Sequence, residues 1–406
     1  MEFWIPYGRT EVPIAVADEN LLGFLSITDD SAGDSGDGVA TETTTPERFT
    51  KAAKQASKTA IAFNGDSAAA VATACSLARD ALQAGSQSVV LLQIAPDPTQ
   101  PRPNQKTPDA SPEGQVRMVT HDRKNSPLAK VGEVEDGGEI WISEEFVSAD
   151  LRCVVSSVGV NPFWGYSGGP SCILVGLGSE NTIKACLSPS LRTARLPGVL
   201  SGNPAYEAIL RATKTLDVSL AVHIVENYDE TIAGTFTGDF QQTFEGACAL
   251  VSKTRRPRLR RKPDVIIMSP GGVPWDRTLF DASPSALMAT TVCRDHGILI
   301  LVAECADGLG AFSKAEAEIR DPKKRVSSRK GFSLERVLQN SFQKMCAEHR
   351  TYLVSTLPEY HATTYGLLSA KSVGNALQRA SRHVEKDALV AIVPYGSVTA
   401  PIVEQN

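Results

Sequence analysis

Short, almost wholly apolar runs recur along this chain between stretches with helical spacing. They are SVVLLQI (88–94), LRCVVSSVGV (151–160), SLAVHIVEN (219–227), PDVIIMSPGG (263–272), ILILVAEC (298–305), TYLVST (351–356) and ALVAIVP (388–394). Runs of this length without polar alternation are what strands buried on both faces look like, and the helices between them supply the crossovers that parallel strands need. The pattern predicts an α/β protein, two-lobed, with mostly parallel sheets flanked by helices and a ligand cleft between the lobes. With 406 residues there is chain enough for two cores. The reading assigns residues 1–262 to an N-terminal lobe and 263–406 to a C-terminal one.

Between these runs the local signals differ. WIPYGRTEVPIAV near the start reads as a strand pair, and GEIWIS (138–143) as a further strand. Residues 29–45, DDSAGDSGDGVATETTT, are acidic and lack apolar period, so they read as a mobile loop. Residues 46–85, rich in alanine, read as helix interrupted by FNGD, and a helix is expected from Pro204 to Ala212. Pro96 to Pro112 contains six prolines and can be neither regular helix nor central strand.

A net charge of −5 and a pI near 5.8 give no general drive toward nucleic acid or anionic membrane, and no apolar run is long enough to span a bilayer. KTRRPRLRRK (253–262) packs seven cations into ten residues without aromatic interleaving, so it reads as a solvated linker, as does Arg320 to Gly331. No secretory signal is evident and the eight cysteines show no CxxC pair, so the expectation is a cytoplasmic protein with reduced, buried thiols and no metal site.

Three glycine turns follow apolar runs: GYSGG (165–169), SPGGVPWD (269–276) and AECADGLG (303–310). Glycine lets backbone amides approach an anionic or planar ligand, and all three turns are expected at one cleft, with Asp276, Glu304 and Asp307 nearby. GYSGG fits neither the dinucleotide nor the P-loop pattern. His223 lies inside a strand and reads as a core residue. His121 follows a short strand and precedes Asp122, which could orient its ring, so it is a weak catalytic candidate. Cys172, just after the glycine turn, is the candidate nucleophile, on the expectation of a lowered thiol pKa.

Ten motifs in order resemble the nickel-dependent lactate racemase (hydroxyacid racemase) family: PYGRTEVPIAVADENL, PDPTQPRP, VTHD, ISEEFVSADL, GYSGG, ENTI, GNPAYEAI, GTFTGDF, SPGGVPWD and LVAECADGLG. The resemblance implies a nickel pincer nucleotide tethered to a lysine, a histidine on the nickel, and two histidine bases; the cofactor carries the hydride chemistry. It also implies that Asp97, Thr99, Gly165, Ser167, Gly168, Gly169 and Asp276 are the retained cofactor-binding shell. The tether position falls on Ser171, one histidine base on Asn161, and the nickel ligand on Leu187. The segment bearing the other base has no counterpart. The phosphate-contacting arginine falls on Gln100, with Arg102 two residues on, and a Tyr-Gln-x-x-Lys cluster on Phe280, Asp281 and Pro284.

Three functions are therefore weighed. The first is a family member that has lost tether and racemase activity and serves as a binding or regulatory pseudoenzyme; no cofactor is expected for it. Its expected partners are a small anionic molecule in the cleft and a second copy or an intact paralogue. The second is an active enzyme on a small 2-hydroxy acid with altered cofactor mode or rebuilt chemistry at Asp97, His121, Ser171, Cys172 or Asp276. The third moves the tether to Lys184, four turns along if the segment is helical.

Overall fold

The computed structural model describes residues 1–27, 46–99, 116–134, 137–188, 191, 195–313 and 332–404. The acidic 29–45 segment, Gln100, Arg102, most of the proline-rich stretch and all of Arg320 to Gly331 therefore lie outside the described residues. The chain divides into two compact units. A terminal unit holds Met1–Thr28, Pro98–Pro103 and Thr254–Asn406; a central unit holds Asp29–Asp97 and Asn104–Lys253. This division differs from the sequence-based one at 262/263. The N-terminal residues belong with the C-terminal half because the strand Leu21–Phe24 pairs in parallel with Val390–Val393.

The central unit is built on a six-stranded sheet in the order Ile232–Gly238, Leu220–Glu226, Leu151–Ser157, Lys58–Phe63, Ser88–Gln93, Val116–Thr120. All neighbours are parallel except the first pair. The central strand, KTAIAF, falls in a stretch that reads as helix from its alanines. Burial between two strands overrides that propensity: every residue from Thr59 to Phe63 is inaccessible. The helix Ala68–Ala84 does follow its pattern. Ser67 caps it by accepting from the Ala70 amide, Gly85 ends it at φ +115°, and Ala70, Val71, Ala74, Leu77, Ala78 and Ala81 form its buried stripe. That stripe packs with Phe49, Ile61, Phe63, Val89, Leu91, Val155 and Val222 in one core. Each large side chain in it contributes roughly 1.5–3 kcal/mol of burial.

The terminal unit has a second six-stranded sheet, in the order Leu368–Ala370, Arg350–Val354, Ile298–Val302, Val265–Met268, Val390–Val393, Leu21–Phe24, with every pairing parallel. The N-terminal hairpin Glu2–Tyr7/Thr10–Ala15 forms as its sequence predicts and contributes Ile5 and Ile14 to a core with Ile267, Ile300, Tyr352 and Ile392. The basic segment is more than a linker. Its strand Arg258–Leu259 pairs with Ile402–Val403, and Arg255 is buried. Among the described residues no helix is long and apolar enough to cross a membrane.

Candidate functional site

Strand order in the central unit reverses between Lys58–Phe63 and Leu151–Ser157, since the chain runs outward from the first to Ser88–Gln93 and then returns to the other side. Ligands of open α/β sheets bind at the carboxyl ends of strands at such a switch point. Two turns leave it here: Asn64-Gly65-Asp66-Ser67, which opens the helix Ala68–Ala84, and the segment from Val158 to the glycine turn. The Ser157 amide donates to Asn64 Oδ1 at 3.2 Å. The Ser67 and Ser157 hydroxyls donate to the two oxygens of Glu226, at 2.8 and 2.6 Å. Neither Glu226 nor Asp66 stood out in the sequence. The signal that finds them is topological: Asp66 follows a strand at the reversal, and Glu226 ends the next strand beyond it.

The glycine turn closes on the chain itself. A Cβ on Gly165 (φ +83°) would stand 2.0 Å from the Val199 carbonyl oxygen, and one on Gly168 (φ +80°) 2.7 Å from that of Ser157. One on Gly169 (φ +49°) would stand 2.4 Å from the Phe244 ring. Ser167 Oγ accepts from the Gly159 amide at 3.1 Å, and Ser156 Oγ accepts from the Gly169 amide at 3.0 Å. Ser156 also hydrogen-bonds Nδ1 of the fully buried His223, whose pKa burial pushes down to about 4. His223 is thus a neutral core residue, as its place in a strand suggests.

The helix Pro170–Leu177 that follows is buried at all eight positions. Ser171 donates to the Gly168 carbonyl at 2.9 Å, so its hydroxyl is committed to the helix start. Cys172 is 2% exposed. Burial, and then the charge of Asp66, push its thiol pKa upward, the opposite of the lowered value expected for a nucleophile. Asn161 is equally occupied, its side-chain oxygen accepting from the Phe163 and Trp164 amides at 2.9 and 3.1 Å. Trp164 in turn donates from its indole to Asp97 at 3.1 Å. Asp97 follows the strand Ser88–Gln93, one strand away from the switch point, and Thr99, buried, falls across the boundary in the terminal unit.

His121 ends the strand Val116–Thr120 and is 3% exposed. Burial pushes its pKa down and the Gly178 carbonyl pulls the other way, yet neither ring nitrogen completes a hydrogen bond among the described residues. Asp122 does not orient the ring as expected. Its oxygens take the Lys124 amide and the Asn125 side chain. Leu187 is inaccessible, near the end of the helix Glu180–Leu187. Lys184 is exposed on that helix, which is separate from the one bearing Ser171 because Gly178 ends the first in an extended conformation. A continuous four-turn helix from 171 to 184 does not form.

In the terminal unit the other two glycine turns meet. Asp276, with no exposed surface, accepts from the Gly8 amide at 2.7 Å and the Glu304 amide at 3.1 Å through one oxygen. Its backbone carbonyl accepts from Cys305 at 2.8 Å, and Leu279 donates to Gly308. Burial and then Glu304 raise the Tyr7 pKa to about 12. Asp281 forms a reciprocal cap with Thr278: the Thr278 hydroxyl donates to its carboxylate at 2.6 Å and accepts from its amide at 3.1 Å. Burial raises the Asp281 pKa. Pro284 sits inside the helix Leu279–Ala289, and the Phe280 carbonyl left without its i+4 amide accepts from the Ser283 hydroxyl at 2.8 Å. Among the described residues no three His, Cys, Asp or Glu side chains are grouped to hold a metal ion.

Parallel α/β sheets with a switch point and glycine turns after their strands define a class of scaffold, and comparison with known proteins places the chain within it. Residues 109–191 match the lactate racemase N-terminal domain and residues 259–400 the lactate racemase C-terminal domain. The lactate racemase of Thermoanaerobacterium thermosaccharolyticum is 27% identical over 296 residues, covering 69% of this chain and 68% of that protein. That of Lactiplantibacillus plantarum is 26% identical over 290 residues, covering 67% and 66%. In fold, the chain resembles the Thermoanaerobacterium thermosaccharolyticum lactate racemase apoprotein with a TM-score of 0.82 across the whole of both chains, at 22% identity. A Thermotoga maritima protein matches with a TM-score of 0.59 at 15% identity, over 88% of this chain and 98% of that one. The chain belongs to the lactate racemase family.

Proposed function

We propose that this chain is a lactate racemase homologue that has lost nickel-pincer tethering and racemase activity and acts as a binding or regulatory pseudoenzyme. The observation that carries this reading is Ser171. At the position that the family resemblance gives to the tethering lysine stands a side chain without an amine, buried, with its hydroxyl donating to Gly168. Leu187, at the nickel-ligand position, is buried hydrocarbon, and Asn161, at a base position, has its side-chain oxygen taken by two amides. A carboxamide does not exchange protons near neutral pH. The residues present do not fit the nickel pincer nucleotide.

The test is nickel content of the full chain, by elemental analysis, after co-expression with the enzymes that make the cofactor, together with a lactate racemisation assay. The expected result is neither metal nor racemisation; near-stoichiometric nickel overturns the reading. A second reading, an active enzyme on a small 2-hydroxy acid with rebuilt chemistry, is favoured by His121, a buried imidazole with both nitrogens unbonded among the described residues. Eight cysteines, all unpaired, support the reducing cytoplasm as the location. A second copy or an intact paralogue is the proposed protein partner.

A further inference from the structure

In the central unit, the hairpin Leu128–Glu133/Glu139–Ser143 and the helix Glu180–Leu187 form the two walls of an open groove. Its volume is about 660 Å³, within the range of roughly 300–1,000 Å³ common to small-molecule sites. We infer that this groove is a binding site for a small aromatic carboxylate, with the anionic end on Lys184 and the ring against Trp141.

Sequence spacing builds both walls. Asn181, Lys184, Ala185 and Ser188 recur at helical spacing, so they share one face of their helix, and all four line the groove. The opposite face, Thr182, Ile183, Cys186 and Leu187, is buried. The position that the resemblance gives to the nickel ligand thus lies on the other side of the helix from the groove. In the facing strand, Ile140 and Ile142 turn inward, and alternation leaves Glu139 and Trp141 on the groove side, where Leu128 and Val134 add apolar surface. The walls are tied together: the Trp141 amide donates to Thr182 Oγ1 at 2.8 Å, and the Ser179 amide donates to the Trp141 carbonyl at 3.2 Å.

The charges decide what the groove holds. Glu139 is fully engaged, one oxygen accepting from Lys130 at 2.8 Å and the other from the Trp141 indole N–H at 3.0 Å, which also fixes the orientation of that ring. Lys184 is exposed and pairs with no carboxylate among the described residues, whereas Lys124 pairs with Glu180 at 3.7 Å. One turn before Lys184, the Asn181 carboxamide makes no hydrogen bond among the described residues. The groove therefore offers an uncommitted cation, an amide donor beside it and an aromatic wall. A carboxylate answers the first two and a planar ring the third. A small aliphatic acid has no ring to set against the indole, and a dianion would find a single free cation with Glu139 close by.

Full-length wild type, K184Q, W141A and the control K214Q, an exposed lysine of the same unit, are titrated by calorimetry at neutral pH with indole-3-carboxylate and with its uncharged amide. Wild type and K214Q are expected to bind the carboxylate saturably below about 1 mM, and more tightly than the amide. K184Q is expected to weaken the carboxylate about fivefold or more while leaving the amide unchanged, a split that a misfolded variant would not produce. W141A is expected to weaken both probes, and W141L replaces it if W141A does not fold. The inference is overturned if wild type shows no saturable binding, if it binds carboxylate and amide equally, or if either the Lys184 or the Trp141 variant leaves carboxylate binding intact. The result is separate from nickel content: near-stoichiometric nickel together with carboxylate binding in the groove would remove the functional proposal alone.

Discussion

Gly169→Ala separates a glycine kept for packing from one kept for a ligand. Gly169 has φ +49° and ψ −125°, a region essentially reserved for glycine, and forcing alanine into it costs about 1–3 kcal/mol. The added Cβ would lie 2.4, 2.6 and 2.7 Å from three atoms of the Phe244 ring. That ring is 1% exposed and packed against Tyr206 and His223, with centroids 6.3 and 5.6 Å away, so it cannot swing aside. Overpacking of this kind adds about 1–3 kcal/mol. The expected loss is about 2–6 kcal/mol, read as a lower urea midpoint by far-UV circular dichroism. The comparison is Gly202→Ala, where φ is +77° but nothing lies within 4 Å of the new Cβ; it should cost only about 1–2 kcal/mol. If the two variants unfold at the same midpoint, or Gly169→Ala matches wild type, the packing explanation for GYSGG is wrong.

Asp276→Ala leaves the buried Gly8 and Glu304 amides without their acceptor and should cost about 2–4 kcal/mol, measured by the same unfolding; a loss below about 1 kcal/mol would mean that those amides find other partners. His223 has its folded pKa depressed to about 4 from 6.5, so the stability of its neutral form is fully present above pH 6.5 and lost as pH falls toward 4. The stability gap between wild type and His223→Asn should therefore narrow by up to about 3 kcal/mol over that window. A gap that stays constant with pH would show that the ring is not held neutral. Cys172 should resist iodoacetamide in the native protein and react once urea is added, as followed by peptide mass spectrometry; native labelling would revive it as a nucleophile.

The parallel sheets were legible because VIIM, ILILV and VAIV are too apolar to have a solvent face. KTAIAF was not, because alanine is the strongest helix former and only the neighbours at 88–93 and 151–157 turn it into a strand. Membership of Leu21–Phe24 in the far sheet is likewise a long-range pairing that no local window contains. At the candidate site, the glycines are visible in sequence but their reason is not, since the atoms that exclude a Cβ come from Val199, Ser157 and Phe244. Glu226 closes a strand whose other residues, His223 apart, are apolar, and only the strand order shows that it reaches a helix cap 159 positions away.

The two kinds of residue in this site answer to different constraints, and under the proposed function that difference explains how a shell would outlast its chemistry. Gly165, Gly168 and Gly169 are fixed by backbone conformation and by contact with the chain's own atoms, so replacing them costs stability whether or not a ligand is bound. A tether, a base or a metal ligand is held in place only by what it does to something bound. Once that demand is gone, any residue that satisfies local hydrogen bonding serves: Ser171 closes the first turn of its helix, and Asn161 ties down two amides that would otherwise be buried unpaired.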